Sequence, residues 1–347
     1  MRHDLLFPEP LRAACAAAVL LAPVIAGPAA RADDTWRFTT LEENDSIWSD
    51  SDKYYSQGLG FSLLTGDVAE DSGGNAPFDV LADWGLFPDD AGWRSRRYEI
   101  LLGQQIFTPE DTGRDNPDPD DRPYAGFFYG GLGLIQDTDR RQLDHFELIV
   151  GVVGPTAFGE TVQNDWHQYI GIAEAQGWDH QLHDEPGLML SYERKWRFLA
   201  PLGDGFGADF IPEAGATIGN VMTYGELGGL LRIGRNLQAD YGPARMRPSL
   251  SGTSYFNGDD MVGDFGFYFF AGAQGRAVAR NIFLDGNTFR DSRDVDSEPL
   301  VADLTGGVSL FWGDDLKLDV MAIHRTKEFE GQDKASDYAG INLTLGF

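Results

Sequence analysis

Four short polar clusters stand out in the chain because they combine residue types that hydrolytic chemistry uses. They comprise residues 42–46, 54–58, 120–126 and 162–167. Between them they hold carboxylates, amides and hydroxyls, together with His167 and Arg122. Imidazole is the usual general base near neutral pH, carboxylate oxygens suit Ca²⁺, and the arginine fork matches phosphate. The clusters lie far apart in sequence, so any joint chemistry requires a fold that brings them together.

Residues 160–171 are predicted to form a short helix that carries the candidate general base. Glu160, Gln163 and His167 are spaced to share one polar stripe, so Glu160 or Gln163 could orient the His167 ring. A separate stripe of this helix is apolar and contains Val162, Trp166, Tyr169 and Ile170.

The alternative for His167 is a solvated surface histidine, which is the commoner case when a sequence is read alone. Four other histidines have no comparable polar setting, and we interpret them as surface or rim residues: His145, His180, His183 and His324. The role of His167 therefore depends on what the fold places beside it.

The first two clusters offer a metal ligand and two positioning groups. Asp45 is suited to Ca²⁺, which could polarise an ester carbonyl and stabilise the developing oxyanion; alternatively it is an aspartate that ends a strand before a turn. The Asn44 amide could donate to the oxyanion or to the histidine. Ser56 could be a nucleophile or could position water or the ester, although a serine among strand glycines is more often structural and no G-x-S-x-G elbow surrounds it.

The third cluster offers a contact for an anionic substrate. Arg122 could pair with a lipid phosphate through its guanidinium fork. The alternative is an ion pair with the neighbouring Asp120 or Asp121.

Period-two alternation identifies the elements that must position these clusters. Ala339, Ile341, Leu343, Leu345 and Phe347 share one face of the last segment, and small or polar residues occupy the other. One face suits lipid and the other suits a polar lumen, as in a transmembrane barrel strand. The chain ends on Phe347, and a terminal aromatic residue resembles the signal read by the outer-membrane assembly machinery, a predicted partner. A soluble β-sandwich or lipocalin-like barrel is the alternative.

We therefore predict an all-β fold, a transmembrane antiparallel β-barrel of about twelve strands with a short helix in an extracellular loop. Both termini of an even-numbered barrel lie in the periplasm, so all four polar clusters fall at the extracellular rim. The connections 65–93 and 236–263 are long for periplasmic turns, so either the count is wrong there or they carry extra structure. The predicted strands are 35–45, 54–64, 94–106, 123–136, 142–153, 187–199, 205–219, 223–234, 264–279, 299–312, 315–327 and 338–347.

The N-terminal segment predicts export. Residues 13–25 form an apolar run, flanked by arginines and followed by an A-x-A pattern at 30–32. This order is typical of a secretory signal peptide, so we assign residues 1–32 to the signal and 33–347 to the barrel. Cys15 lies inside the signal, which excludes disulfides and thiolate zinc sites from the mature chain. The net charge of −28 excludes nucleic acid as a partner.

Taken together, the clusters resemble the lipid A 3-O-deacylase (LpxR) family. The resemblance runs from about residue 36 to 347. The stretches that carry it are 43–46, 54–59, 121–126, 151–159, 160–171, 177–178 and 184–196.

The resemblance implies a twelve-stranded outer-membrane barrel that hydrolyses the ester-linked 3′ acyloxyacyl chain of lipid A in the outer leaflet, with Ca²⁺ as cofactor. Asn44 and Asp45 match the family's Asn-Asp pair, with Asp45 at the calcium. Ser56 matches its Thr/Ser, and His167 matches the proposed base that activates water. The family's basic substrate contact falls in the loop 107–122, which is acidic here, and only Arg114 lies near that position. We therefore take Arg122, Arg114 and Gln163 as candidate substrate contacts.

Two other functions stay open. An outer-membrane phospholipase would also use a twelve-stranded barrel, calcium and a His/Ser/Asn set, with Ser56 as the nucleophile. A small channel or a structural barrel would have no hydrolytic activity, and a lumen without plugging side chains would favour it. Lipid A or lipopolysaccharide is the predicted substrate, and outer-membrane lipid surrounds the barrel.

Overall fold

The computed structural model describes residues 35–45, 53–88, 92–138, 141–246, 255–258 and 261–347. The predicted signal peptide, residues 1–32, lies outside this part of the chain. No helix among the described residues is both long enough and apolar enough to cross a bilayer.

Antiparallel strands form one continuous sheet that closes on itself. Each strand pairs with its sequence neighbours, except that β6 and β7 do not pair with each other and both pair with β8; β1 pairs with β13 and closes the sheet. The strands are β1 (Arg37–Asn44), β2 (Tyr54–Leu64), β3 (Trp93–Thr108), β4 (Ala125–Thr138), β5 (Gln142–Val153), β6 (Glu185–Trp196), β7 (Phe198–Gly203), β8 (Phe206–Gly219), β9 (Met222–Arg235), β10 (Phe265–Asn281), β11 (Leu300–Trp312), β12 (Leu316–Arg325) and β13 (Ser336–Gly346). The helices are α1 (Ala76–Asp83), α2 (Gly159–Ile170) and α3 (Ile282–Asp285).

The closed sheet has twelve strand positions, which confirms the predicted barrel. β7 continues β6 beyond Arg197, and the two pair in turn with the two halves of β8, so together they occupy one position. The predicted strand 187–199 is therefore interrupted at Arg197. The other predicted boundaries fall within a few residues of those in the structure, and β5 begins and ends where the sequence predicted.

Alternation along the strands separates an outward apolar face from an inward polar face. Large outward side chains such as Leu132, Leu227 and Phe269 are more than half exposed. The inward positions hold buried charged, polar and aromatic groups. An outward apolar band around a polar interior is the arrangement that is typical of a transmembrane barrel.

We call the end where Arg37 pairs with Gly346 the terminal rim, and the end where Asn44 pairs with Ala339 the opposite rim. Both long connections at the terminal rim carry extra structure. The connection from β2 to β3 forms α1, whose Phe78 and Leu81 pack on Tyr98 and other outward side chains of the wall. The strand count was therefore right, and the length of this connection is explained by a helix.

The described residues of the connection from β9 to β10 fold into the lumen and occupy much of it. Tyr241 and Tyr255 both donate to Asp137 of β4, at 2.6 and 2.9 Å. Lys317 of β12 lies 2.6 Å from Asp240. Several side chains of this segment join the main hydrophobic core, so the core of the molecule lies inside the barrel: Leu237, Ala239, Ala244, Met246 and Phe256.

Candidate functional site

A pocket lies on the outward side of the wall at the opposite rim, between the ends of β1 to β3 and helix α2. Its volume is about 30 Å³. It brings together five of the seven candidate site residues, which the chain separates by more than a hundred positions. The lining residues are Asn44, Asp45, Ser56, Gln57, Ile106, Gln163, Trp166, His167, Ile170 and Ile172.

A β-bulge directs Ser56 toward this pocket. The register between β2 and β3 shifts between Tyr55 and Gln57, which leaves Ser56 as the extra residue. Tyr55 points into the lumen and packs beside Met246 and Tyr338. The Ser56 hydroxyl lies 2.6 Å from the hydroxyl of Thr108 on β3, and both groups are buried. The bulge thus places a hydroxyl pair on the pocket side of the wall.

Asp45 follows the last residue of β1 and is buried, with 4% of its surface exposed. Its Oδ2 accepts a hydrogen bond of 2.7 Å from the main-chain N–H of Lys53. The carboxylate therefore fixes the point where the chain returns toward β2. The pocket also holds the amide group of Asn44 beside it. A carboxylate with amide oxygens nearby is a hard oxygen donor set.

Lys53 and Glu110 form an ion pair beside the start of β2. The Lys53 ammonium lies 2.5 Å from the Glu110 carboxylate. The hydrogen bond from Lys53 lowers the pKa of Glu110 below its usual range. Lys53, the basic residue just before β2, is thus paired with Glu110, which follows β3.

The His167 ring is oriented by a main-chain carbonyl. Its Nδ1 lies 2.7 Å from the carbonyl oxygen of Ala173. Because a carbonyl oxygen can only accept, Nδ1 carries the proton in this arrangement. In the neutral ring Nε2 is then the proton acceptor. His167 is buried, with 4% of its surface exposed, so the alternative of a solvated surface histidine is wrong.

The chain reverses direction at the C-terminus of α2, and this reversal brings the Ala173 carbonyl to the His167 ring. Gly171 adopts φ of 79°, a left-handed conformation that favours glycine. The N–H groups of Gly171 and Ile172 both donate to the carbonyl oxygen of His167. Asn164 holds the returning chain, since it accepts from the N–H of Ala175 at 2.8 Å and donates to its carbonyl oxygen at 3.2 Å.

The two residues predicted to orient the His167 ring lie in different settings. Glu160 is exposed to solvent. Gln163 is buried in the pocket lining, and its Oε1 accepts a hydrogen bond of 2.8 Å from the Trp178 indole. Gln163 is therefore held by Trp178, and the Ala173 carbonyl is a positioning group for the His167 imidazole that the sequence did not predict.

Helix α2 buries its polar face and exposes its apolar face, the reverse of a helix packed on the core of a soluble protein. Its polar residues Gln163 and His167 are buried against the wall, whereas Trp166, Tyr169 and Ile170 are 44–62% exposed. Apolar side chains turned outward suit a helix that lies in the membrane interface. The pocket therefore opens beside a surface that suits acyl chains.

The two candidate arginines do not line the pocket. Arg122 is fully buried, and its guanidinium lies 3.5 Å from Glu328 and 4.8 Å from the Phe107 ring centroid. Burial lowers the pKa of Arg122. Arg114 is exposed and pairs with Asp118 at 3.0 Å. Arg122 therefore forms an ion pair inside the protein, as the alternative prediction had it. Its partner is Glu328, however, and not Asp120 or Asp121.

The interpretation of His145 as a surface or rim residue is wrong. His145 is 2% exposed and points into the lumen, where its Nε2 lies 3.3 Å from Glu99. His324, in contrast, is exposed and contacts Asp337. Alternation along β5 does assign His145 to the inward face, together with Glu147. That signal could have corrected the interpretation from the sequence.

Comparison with known proteins bears on family and fold. A family model described as "Outer membrane protein LpxR" matches residues 13–347. The structure is similar to that of LpxR from Salmonella typhimurium, with a TM-score of 0.70 and 19% identity over 90% of this chain and 100% of that chain. The β-domain of the Bordetella autotransporter BrkA has a TM-score of 0.44 and 13% identity, with coverage of 90% and 99%. No curated protein sequence matches the chain.

The barrel topology and the family match agree along almost the entire described chain. The second structural likeness is too weak to carry an argument, whereas the first supports the same twelve-stranded fold. This chain is therefore a member of the LpxR family of outer-membrane β-barrel proteins.

Proposed function

We propose that this protein is a calcium-dependent lipid A deacylase that removes the 3′-linked acyloxyacyl chain by ester hydrolysis in the outer leaflet. One observation carries the proposal: Asn44, Asp45, Ser56 and His167 line a single pocket on the outward wall. A pocket on the outward wall is reached from the lipid phase, where an acyl ester of a membrane lipid resides. Family membership supports the same substrate class.

The donor set beside Asp45 fits calcium. It consists of the Asp45 carboxylate and the Asn44 amide oxygen, and Ca²⁺ takes oxygen ligands of this kind, usually with main-chain carbonyls and water. The pocket also contains an imidazole, but His167 directs its protonated nitrogen to Ala173 and is suited to proton transfer. When bound, Ca²⁺ supplies electrostatic stabilisation of the charge that develops on the ester oxygen.

His167 acts as the general base. Its Nε2 takes a proton from water as the water oxygen attacks the ester carbonyl carbon, which gives a tetrahedral oxyanion. The ester C–O bond to the sugar 3′-oxygen then breaks, and the protonated imidazole returns the proton to that oxygen. The products are the released acyloxyacyl carboxylic acid and lipid A with a free 3′-hydroxyl. The Ala173 carbonyl stabilises the imidazolium through Nδ1–H.

Ser56 positions water or the ester through its hydroxyl, which Thr108 orients. The competing reading is an outer-membrane phospholipase that uses Ser56 as a nucleophile. In that reaction an acyl-enzyme on Ser56 would accumulate, and phospholipid would be the substrate. Incubation with an activated fluorophosphonate and mass analysis of the peptide that contains Ser56 separates the two mechanisms.

The filled lumen weighs against the channel reading. Described residues of the segment after β9 lie in the interior and bond to β4 and β12. A conducting barrel needs a continuous aqueous path, whereas ion pairs and aromatic side chains occupy this one.

The test is expression of the full chain in a Gram-negative outer membrane that contains intact lipid A, followed by mass spectrometry of the extracted lipid A. Loss of one acyloxyacyl group is expected, and it should disappear in His167→Ala. His324→Ala is the matched control, because that histidine is exposed on β12 and outside the pocket. Unchanged lipid A with cleaved phospholipid would favour the phospholipase, and no change in either lipid would refute both.

A further inference from the structure

A second cluster of metal-ligating groups lies in the lumen, away from the rim pocket. Glu99, His145 and Glu147 are all buried, and one ligand atom from each lies within 4.8 Å of the others. Ser62, which lines the cavity beside this cluster, is six residues from Ser56 along β2, so the two sites are about 20 Å apart along the wall. The rim mechanism uses none of these residues.

The strand register explains why these side chains converge. Glu99 on β3 pairs with Gly133 on β4, and Gly133 pairs with Glu147 on β5. Two glutamates thus flank a position without a side chain, and His145 is the adjacent inward residue of β5. A Cβ at Gly133 would lie 2.9 Å from the His145 Nε2 and 3.1 Å from the Glu99 Oε2. Gly133 therefore leaves open the space into which the ligand atoms point.

The geometry suits a small divalent ion. Two ligands of a tetrahedral zinc ion lie ~3.4 Å apart when each is ~2.1 Å from the metal. The His145 Nε2 and the Glu99 Oε2 are already 3.3 Å apart. The Ser62 hydroxyl donates to the other Glu99 oxygen and so directs Oε2 toward the histidine. A cavity of about 40 Å³ borders the cluster and has room for water as a further ligand.

Electrostatics favours a metal at this place. Two carboxylates close together in a low-dielectric interior repel each other unless positive charge lies between them. Arg245 lines the same cavity, but its guanidinium is already shared by Glu43 and Asp303, at 3.3 Å from each. A divalent ion bound by two carboxylates and one neutral imidazole forms a site of zero net charge.

We propose that Glu99, His145 and Glu147 bind a divalent transition-metal ion, zinc by preference, as a structural site that ties β3 to β5 across Gly133. The imidazole ligand distinguishes it from the all-oxygen set at Asp45, because nitrogen ligands favour zinc over calcium. The bound ion stabilises the middle of the wall, where β4 contributes no inward side chain at Gly133.

The test uses the full barrel, folded in detergent and stripped with chelator, in an Asp45→Asn/His167→Ala background that removes the carboxylate and the imidazole of the rim pocket. Titration with Co²⁺ is expected to give visible d–d absorption that saturates near one ion per chain, and Zn²⁺ should displace it. Gly133→Ala and His145→Gln should each weaken Co²⁺ binding at least tenfold. Gly130→Ala is the matched control, because a Cβ there meets only a main-chain oxygen at 3.6 Å, and His324→Gln controls for an exposed imidazole.

Absence of Co²⁺ and Zn²⁺ binding in this background would overturn the proposal, as would equal binding by Gly133→Ala and Gly130→Ala. Heat-modifiable migration in gels establishes whether each variant is folded. If Gly133→Ala and His145→Gln do not fold, X-ray absorption spectroscopy of the zinc-loaded Asp45→Asn/His167→Ala protein identifies the ligands of the metal directly. An imidazole signature that persists in His324→Gln supports the site, and a shell of oxygen alone refutes it.

Discussion

Two helices lie against the outward face of the wall, one at each end, and they cover polar wall residues in different ways. At the terminal rim, α1 packs Phe78 and Leu81 into the wall, and Arg96 reaches up to Asp79 at 2.8 Å. At the opposite rim, α2 turns Gln163 and His167 toward the wall and leaves a pocket. Apolar contacts fill the space between α1 and the wall, whereas several polar groups line the pocket between α2 and the wall.

The comparison shows what distinguishes a structural support from a candidate active site on one scaffold. Beneath α1, the wall groups satisfy one another: Arg194 and Tyr192 both bond to Asp144, at 2.6 and 2.5 Å. Beneath α2, the contacts fix the orientation of side chains that line a pocket, as the Ala173 carbonyl does for the His167 ring. A helix that only stabilises can fill its interface, but one that builds a site must hold it open.

Replacement of His167 by alanine is the change with the largest expected effect on turnover. Loss of the general base should lower kcat by as much as about ten-thousandfold. Folding should be unaffected, because the α2 contacts of Gln163 and Asn164 remain. Initial rates on purified lipid A in mixed micelles measure the effect. If His167→Ala retains a tenth of wild-type activity, the general-base assignment is wrong.

Asp45→Asn should lower turnover by about a hundredfold to a thousandfold, because it weakens binding of the Ca²⁺ ion whose positive charge would stabilise the oxyanion. Chelation of calcium from the wild-type enzyme should reach the same level, and the variant should gain little when calcium is restored. Asp79→Asn is the matched control at the other rim, where the carboxylate contacts Arg96. Equal calcium dependence of wild type and Asp45→Asn would place the metal elsewhere.

Particular residues show how far the sequence could predict this arrangement. Period-two alternation predicts the strands and assigns Glu99 and Glu147 to the lumen, and helical spacing predicts α2 and its two stripes. The Ala173 carbonyl could not be predicted, because every residue carries one and only the fold selects it. The lumen segment after β9 escaped prediction for a related reason, since its ion pairs, such as Asp240 with Lys317, join residues far apart in the chain.

Asn164→Ala should lower kcat by about tenfold with little change in KM. Asn164 ties the chain at Ala175 to α2, so its loss frees the Ala173 carbonyl that orients the His167 ring. Asn164→Asp keeps the oxygen that accepts from the Ala175 N–H and should recover part of the rate. Steady-state kinetics separates the two parameters. A rise in KM at constant kcat would assign Asn164 to substrate binding instead.

Phe78→Ala should have the smallest effect on turnover and a large effect on stability. Phe78 is a fully buried residue of α1 and packs against Phe87 and Tyr98. Truncation of a buried phenylalanine costs about 3–5 kcal/mol, which urea unfolding in detergent measures. The rate per folded molecule should match wild type, because α1 and α2 contact opposite ends of the wall. Trp84→Ala, on an exposed residue of the same segment, should leave stability nearly unchanged. A loss of turnover in folded Phe78→Ala would mean that the two ends of the barrel are coupled, and the contrast between a supporting helix and a site-forming helix would no longer hold.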